Sequence, residues 1–299
     1  MRRTALLAAS VSLTLLAVAA SPEARPLSGK AALGHTEALT QMGPRPSGSP
    51  AHLKMRNYIR AALASSNLKP DFQTFDAQTP LGKVQMHNII VKIPGATDRV
   101  VIVSGHYDTK RMSNLKFVGA NDGGASAGLL LELARVLGTG PKQDLTVWVV
   151  FLDGEEAYAG EWTAADSLYG SKYLARSLRE SGEAPKVAAV INLDMIGDKN
   201  LDILYDTNSS GWLNTMVRDV AAKLGLAKAF GTFRTEMDDD HMPFLASGIP
   251  AVDLIDLNYG PDNSYWHTEK DTTDKLSAVS LETVGKIVLG TIDAIAKRK

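Results

Sequence analysis

The chain of 299 residues contains no cysteine, which rules out disulfides, lipid-modified cysteines and thiolate metal sites. Any metal it binds must be held by His, Asp and Glu. An excess of charge is missing as well. Lys plus Arg number 32 against 33 for Asp plus Glu, a net charge of -1, so there is no electrostatic footprint for nucleic acid or for an anionic membrane surface. A small or neutral partner suits that balance better. The chain also lacks internal repeats, heptad runs, low-complexity segments and any linker long enough to divide it. It has no HExxH pair either, so no single helix supplies metal ligands. With 44% hydrophobic and 22% charged residues, the composition is that of a soluble globular protein, and one catalytic domain over residues 21–299 is the economical reading.

One apolar run is present at the N-terminus. Arg2 and Arg3 precede an apolar stretch from Ala5 to Ala20, and small residues lead into Ser21-Pro22. This is the layout of a cleavable secretory signal over residues 1–20, too short for a membrane span. An exported protein, periplasmic or extracellular and free of the membrane after cleavage, is expected.

The chain is organised around Leu145 to Trp162, where the buried-strand pattern Val147 to Leu152 ends at Asp153-Gly154 and delivers the adjacent Glu155 and Glu156. Other strands are expected at Phe72 to Phe75, Val84 to Ile93, Val100 to Ser104, the VAAVINLD run ending at Asp194, Leu201 to Tyr205 and Ile249 to Ile255. Helices are expected at Ala31 to Gln41 and Ala51 to Ala64, forming an N-terminal cap, then after Asp122, from about Ser167, at Trp212 to Leu224 and at Leu281 to Ala296. Strands alternating with helices predict an α/β fold with a largely parallel sheet covered on both faces.

Most of the polar residues worth asking about fall just after predicted strands or at helix starts: His106 and Asp108, Asp122, Glu155 and Glu156, Asp194, with His267 in a later loop. Ligands gather at the carboxyl ends of strands in open α/β sheets. Two adjacent glutamates repel unless a cation or a shared proton relieves them, and one can ligate a metal while the other carries a proton. Imidazole and carboxylate ligands without sulfur suit catalytic zinc, which needs three protein ligands and an open position. Taken singly, Asp122 reads as a helix N-cap, Asp194 as a turn former and His267 as a surface histidine. His35, His52 and His87 read as structural.

The motifs HYDTK, GANDGGASAG, DGEEA, LDMIG and YWHT, in that order from Asn88 onward, resemble those of the co-catalytic zinc aminopeptidases of peptidase family 28. Within that superfamily FVGA, LELARVL, DGEEA followed by Trp, DSLYGSKYLA, DDHMPF and WHT resemble the glutaminyl-peptide cyclotransferases more closely. The resemblance implies a three-layer αβα fold of the zinc-dependent exopeptidase type, with a mixed, mostly parallel twisted sheet, acting on the N-terminus of a peptide or protein. In a cyclase it makes Asp122, Glu156 and His267 the ligands of one Zn2+, Glu155 the acid/base, and Asp194 a hydrogen-bond partner of Glu155. In an aminopeptidase it adds a second zinc held by His106, Asp194 and a bridging Asp122, with Asp108 orienting His106. Asp239 matches a catalytic aspartate near the substrate, and Trp162, Trp266 and Asp253 match substrate-pocket positions, Asp253 standing where animal cyclases carry histidine. A non-catalytic binding protein on the same fold is the third reading, and it predicts a missing ligand or base.

Overall fold

The computed structural model describes residues 26–298; the segment expected to direct export, residues 1–20, lies outside them. In chain order the main strands are β1 (Asp71–Thr79), β2 (Gly82–Ile93), β3 (Val100–His106), β4 (Thr146–Leu152) and β5 (Val187–Asp194). They are followed by β6 (Ile203–Asp206), β7 (Phe230–Thr235) and β8 (Ala251–Ile255). Six of them form one sheet in the order β1-β2-β4-β3-β5-β8. Strands β4, β3, β5 and β8 are parallel, while the β1–β2 hairpin adds two antiparallel strands at one edge.

Both faces of the parallel strands are apolar, as strands covered by helices on each side must be. Val101 and Val103 of β3 point into one core and Ile102 into the other. The first core is closed by α1 (Gly29–Thr40), α2 (Pro50–Ser65), α3 (Gly124–Thr139), α5 (Gly211–Lys223) and α7 (Ala278–Ala296). The second is closed by α4 (Tyr169–Glu180), through Leu174, Ala175 and Leu178, and by Phe244 of α6 (Met242–Ala246). The result is a three-layer αβα arrangement with a mixed, mostly parallel sheet.

Three expectations change. The N-terminal helices are not a separate cap: Ala32 and Leu39 of α1 and Met55, Ile59 and Leu63 of α2 are buried in the first core, and α1 packs against α3 and α7. The strand expected near Leu201 forms as β6 but stays out of the main sheet and pairs with β7. Neither β7 nor α6 was expected. FGTFRT is half-exposed without clean alternation, and five residues are too few to show a helical period. Among the described residues no helix is long and apolar enough to cross a membrane.

Candidate active site

Three adjacent parallel strands end side by side. His106 closes β3, Asp153-Gly154 follow β4 and present Glu155 and Glu156, and Asp194 closes β5. Asp122 reaches the same edge from the loop before α3. It does not cap that helix: Gly123 occupies the N-cap, with φ at 76°, and a Cβ there would collide with the Asp108 carbonyl oxygen. Only glycine allows this close approach at positive φ. His267 arrives from the loop beyond β8 and itself sits at φ 53°, a left-handed conformation that non-glycine residues keep only when their surroundings impose it. Phe117, edge-on at 5.6 Å, and Trp266, stacked at 4.1 Å, hold its ring.

Two groups of possible ligands result, and Asp122 belongs to both. In the first, His267 Nε2 lies 3.2 Å from Asp122 Oδ2 and 3.1 Å from Glu156 Oε1. In the second, His106 Nε2 lies 3.1 Å from Asp122 Oδ1 and 3.1 Å from Asp194 Oδ1. Ligand atoms placed about 2.0–2.1 Å from one tetrahedral ion are separated by roughly 3.3 Å, so these edges fit zinc. Asp122 Oδ2 is buried without a hydrogen-bond partner, an orphaned acceptor of the kind a cation satisfies.

The electrostatics point the same way. Asp122, Glu155, Glu156 and Asp194 are each less than a tenth exposed, and burying four carboxylates together is costly unless a cation compensates. Burial pushes the Glu155 carboxyl well above the usual range; His106 opposes this, and Glu156, Asp239 and Asp240 reinforce it. Burial likewise lifts Asp194 to about 7, against the pull of His106. On His267 burial acts downward, yet Asp122 and Glu156 raise it to about 9. A metal ion would compete for the position of that proton.

Two expected contacts are absent. Asp194 faces His106, and no hydrogen bond joins it to Glu155 among the described residues. Asp108 lies 3.7 Å from His106 Nδ1, too far for a hydrogen bond. Its Oδ1 accepts instead from the backbone N–H groups of Gly154 and Glu155, at 3.0 and 3.3 Å. Asp108 therefore fixes the turn that carries the two glutamates.

Several supporting residues were not singled out from the sequence. Asp271 accepts from the backbone N–H of Asn121 at 2.8 Å, that of Asp122 at 3.2 Å and the hydroxyl of Tyr259 at 2.7 Å. The buried Arg45 donates to the carbonyls of Gly43, Val118 and Gly119, tying the same loop to the N-terminal segment. Lys110 Nζ sits 3.4 Å from Glu156 Oε2. Only Lys110 carried a signal, its place inside HYDTK; the others act on backbone across long sequence separations. Replacing Asp271 with Ala strands buried donors, so we expect a loss of about 2–4 kcal/mol. Thermal unfolding should show it as a drop of roughly 5–10 °C in Tm. An unchanged Tm would separate Asp271 from the support of Asp122.

The glutamates open into a cavity of about 470 Å³ that Trp162, Trp266, Asp239 and Ile255 help to line. Asp253 does not line it. It lies behind Asp239, 1% exposed, because β8 pairs it with Asn192 of β5 and turns it into the protein interior. Asn192 Nδ2 donates to both Asp239 and Asp253, at 3.2 and 3.1 Å. Burial raises the Asp253 carboxyl well above its usual range, with Asp239 and Asp194 adding to the effect. The histidines read as structural are remote from the cavity: His52 contacts Asp153 at 3.1 Å and stacks on Tyr107, His35 meets Tyr58, and His87 meets Thr74.

A mostly parallel sheet with these His–carboxylate groups at its carboxyl edge is the architecture of a zinc-exopeptidase-type α/β protein. The model of peptidase family M28 matches residues 88–292, and the chain belongs to that family. Its curated relatives include the glutaminyl-peptide cyclotransferases of Boiga irregularis, 30% identical over 81% of this chain and 74% of theirs, and of Drosophila melanogaster, 28% identical over 82% and 75%. Among solved structures, an Acidobacteriales bacterium glutaminyl cyclase is 38% identical with a TM-score of 0.87, covering 95% of this chain and 100% of that one. The Porphyromonas gingivalis glutaminyl cyclase is 27% identical with a TM-score of 0.82, covering 90% and 98%. Within family M28 the chain is therefore glutaminyl-cyclase-like.

Proposed function

We propose that this chain is an exported glutaminyl-peptide cyclotransferase, a single catalytic domain that converts N-terminal glutamine of peptides to pyroglutamate with release of ammonia. The observation that carries the reading is the placement of Glu155. It is buried, held high in pKa, adjacent to the Asp122–Glu156–His267 group, and on the wall of a cavity flanked by two tryptophans. The names of the relatives above support it, as does the N-terminal layout for export.

Asp122, Glu156 and His267 would hold one Zn2+, which when bound polarises the γ-carbonyl of the glutamine as a Lewis acid. Trp162 and Trp266 enclose the CH₂ groups and keep the side chain folded back toward its own amine, which supplies proximity. The α-nitrogen forms the new bond to the γ-carbon while the bond from that carbon to the amide nitrogen breaks. Glu155 accepts a proton from the α-nitrogen and returns it to the leaving nitrogen, which departs as ammonia; a raised pKa suits both halves of that transfer. Asp239, fixed by Asn192 and the backbone N–H of Asp240, offers an acceptor to the amine from the facing wall.

The His106–Asp122–Asp194 group favours one second reading, an aminopeptidase with two zincs that hydrolyses the first peptide bond. Zinc-loaded protein incubated with a Gln-initiated and a Leu-initiated peptide, followed by mass, separates the two. The expected result is loss of one ammonia from the first and no change in the second, at one zinc per chain. Release of the N-terminal residue from either peptide would select the aminopeptidase.

A further inference from the structure

Beside the cavity, a second cleft of about 380 Å³ opens between α4 and α6, and Asp238 lies in the wall of both. Leu168, Ala175 and Ala246 give it an apolar floor. One bank carries Lys172, Arg176 and Arg179, spaced i, i+4 and i+7 along α4 and therefore on one stripe of the helix. Lys172 is tethered, its Nζ donating to the carbonyls of Ala164 at 2.7 Å and Ser167 at 2.8 Å. Arg176 and Arg179 are exposed, and among the described residues neither forms an ion pair or a side-chain hydrogen bond. Arg176 lies over the ring of Tyr173 at 5.2 Å. Arg179 has an ordinary explanation, since a cation in the last turn of a helix interacts favourably with its dipole. Arg176 precedes the last turn and Lys172 lies in the first turn of α4, where the dipole disfavours a cation, so that explanation does not reach them.

The part of the cavity wall at Leu257 differs in sign. Leu257 is shared there with a depression of about 360 Å³ whose charged residues are Asp202 and Asp262. The carboxylate of Asp202 already accepts from Asn258 at 3.2 Å. A substrate chain has two ways out, one past unpaired cations and one past acids that are partly satisfied.

We infer that the α4–α6 cleft receives the residues that follow the N-terminal glutamine of an extended peptide substrate and favours acidic side chains among them. An extended chain advances about 3.3 Å per residue, so the third to fifth residues reach a cleft adjoining the one that holds the first. Asp238 stands at the crossing, where Trp162 Nε1 donates to its Oδ2 at 3.3 Å, and its Oδ1 has no hydrogen-bond partner among the described residues. The inference names the substrate class for the function proposed above and rests on that reading.

The test uses the full zinc-loaded protein and three probes: glutaminamide, a Gln-initiated pentapeptide with Glu at positions three to five, and its Lys counterpart. Dissociation constants come from calorimetry on Glu155→Gln protein, in which turnover is slowed at least about 10²-fold, and ammonia release is followed on protein with Glu155 intact. At low salt the Glu peptide should bind roughly ten-fold tighter than the Lys peptide, as two or three exposed charge pairs provide, with the gap narrowing as salt rises. The double substitution R176E/R179E should abolish or invert the preference and leave kcat and KM for glutaminamide unchanged. Equal binding of the two peptides, a preference that survives charge reversal, or tighter binding of the Lys peptide overturns the inference, the last result assigning the exit to the Leu257 side. The two readings fail separately. No ammonia from glutaminamide with the charge preference intact removes the cyclase activity and keeps the acidic-peptide cleft, whereas ammonia release without a preference removes the cleft alone.

Discussion

Glu155→Gln protein should retain its zinc and lose at least about 10² in kcat, the scale of a missing proton carrier. The substitution preserves size and removes the capacity to accept a proton. Glu155 belongs to neither group of close-set ligand atoms, which are formed by Asp122, Glu156 and His267 and by His106, Asp122 and Asp194. Metal content should therefore stay at the wild-type level. Its main-chain N–H remains bound to Asp108, so the turn keeps its shape. The loss should fall on kcat with KM little changed, because the carboxylate acts as bonds rearrange. Wild-type turnover in this variant, measured by ammonia release from a Gln-initiated peptide, would exclude Glu155 as the acid/base.

His267→Ala should release the metal. The first group has only three protein ligands, and His267 Nε2 is the atom between Asp122 and Glu156. Without it the two carboxylates lack the neutral donor that completes a three-ligand zinc site. We expect zinc affinity to fall by at least 10², since disturbing even the partners of metal ligands costs 10–100-fold. Activity should fall in parallel. His106→Ala is the natural comparison, because it removes a ligand from the second group alone. If one zinc serves the reaction, the His106 variant keeps about one zinc per chain after dialysis and the His267 variant does not. Full zinc retention by His267→Ala protein would overturn the ligand set.

Much of the fold was legible because the buried strands differ sharply in pattern from their flanks. VVIVSGH and TVWVVFL are apolar on both faces, which a short run achieves only inside a sheet covered by helices. The strand expected near Leu201 forms, but its partner in the small second sheet, FGTFRT, is half-exposed and shows no period, so the pairing could not be read. The α1–α2 pair reads as a cap because amphipathic spacing shows that a helix has a buried face without showing what covers it; Leu39 and Met55 are buried in the core shared with α3 and α7. In the site, ligating residue types after strand ends could be read directly. Their hydrogen-bond partners could not. Asp108 and Asp194 are carboxylates that neighbouring donors compete for, and the backbone N–H groups of the Gly154–Glu155 turn and the ring of His106 won.

By itself the sequence determined the chemistry available. With no cysteine, and with histidines and carboxylates placed where strands stop, only a nitrogen–oxygen metal site could form, and the alternation of apolar runs required a sheet to gather it. Tertiary structure alone decided that Asp253 is hidden behind Asp239, that Asp108 holds the Gly154–Glu155 turn, and that a cleft bearing Lys172, Arg176 and Arg179 adjoins the cavity at Asp238. The reason is one of range. Periodicity along the chain records which face of each element is buried. The orientation of a side chain at a strand end depends on which distant element packs beside it, and that is settled only when strands β5 and β8 come into register and helices α4 and α6 close over them.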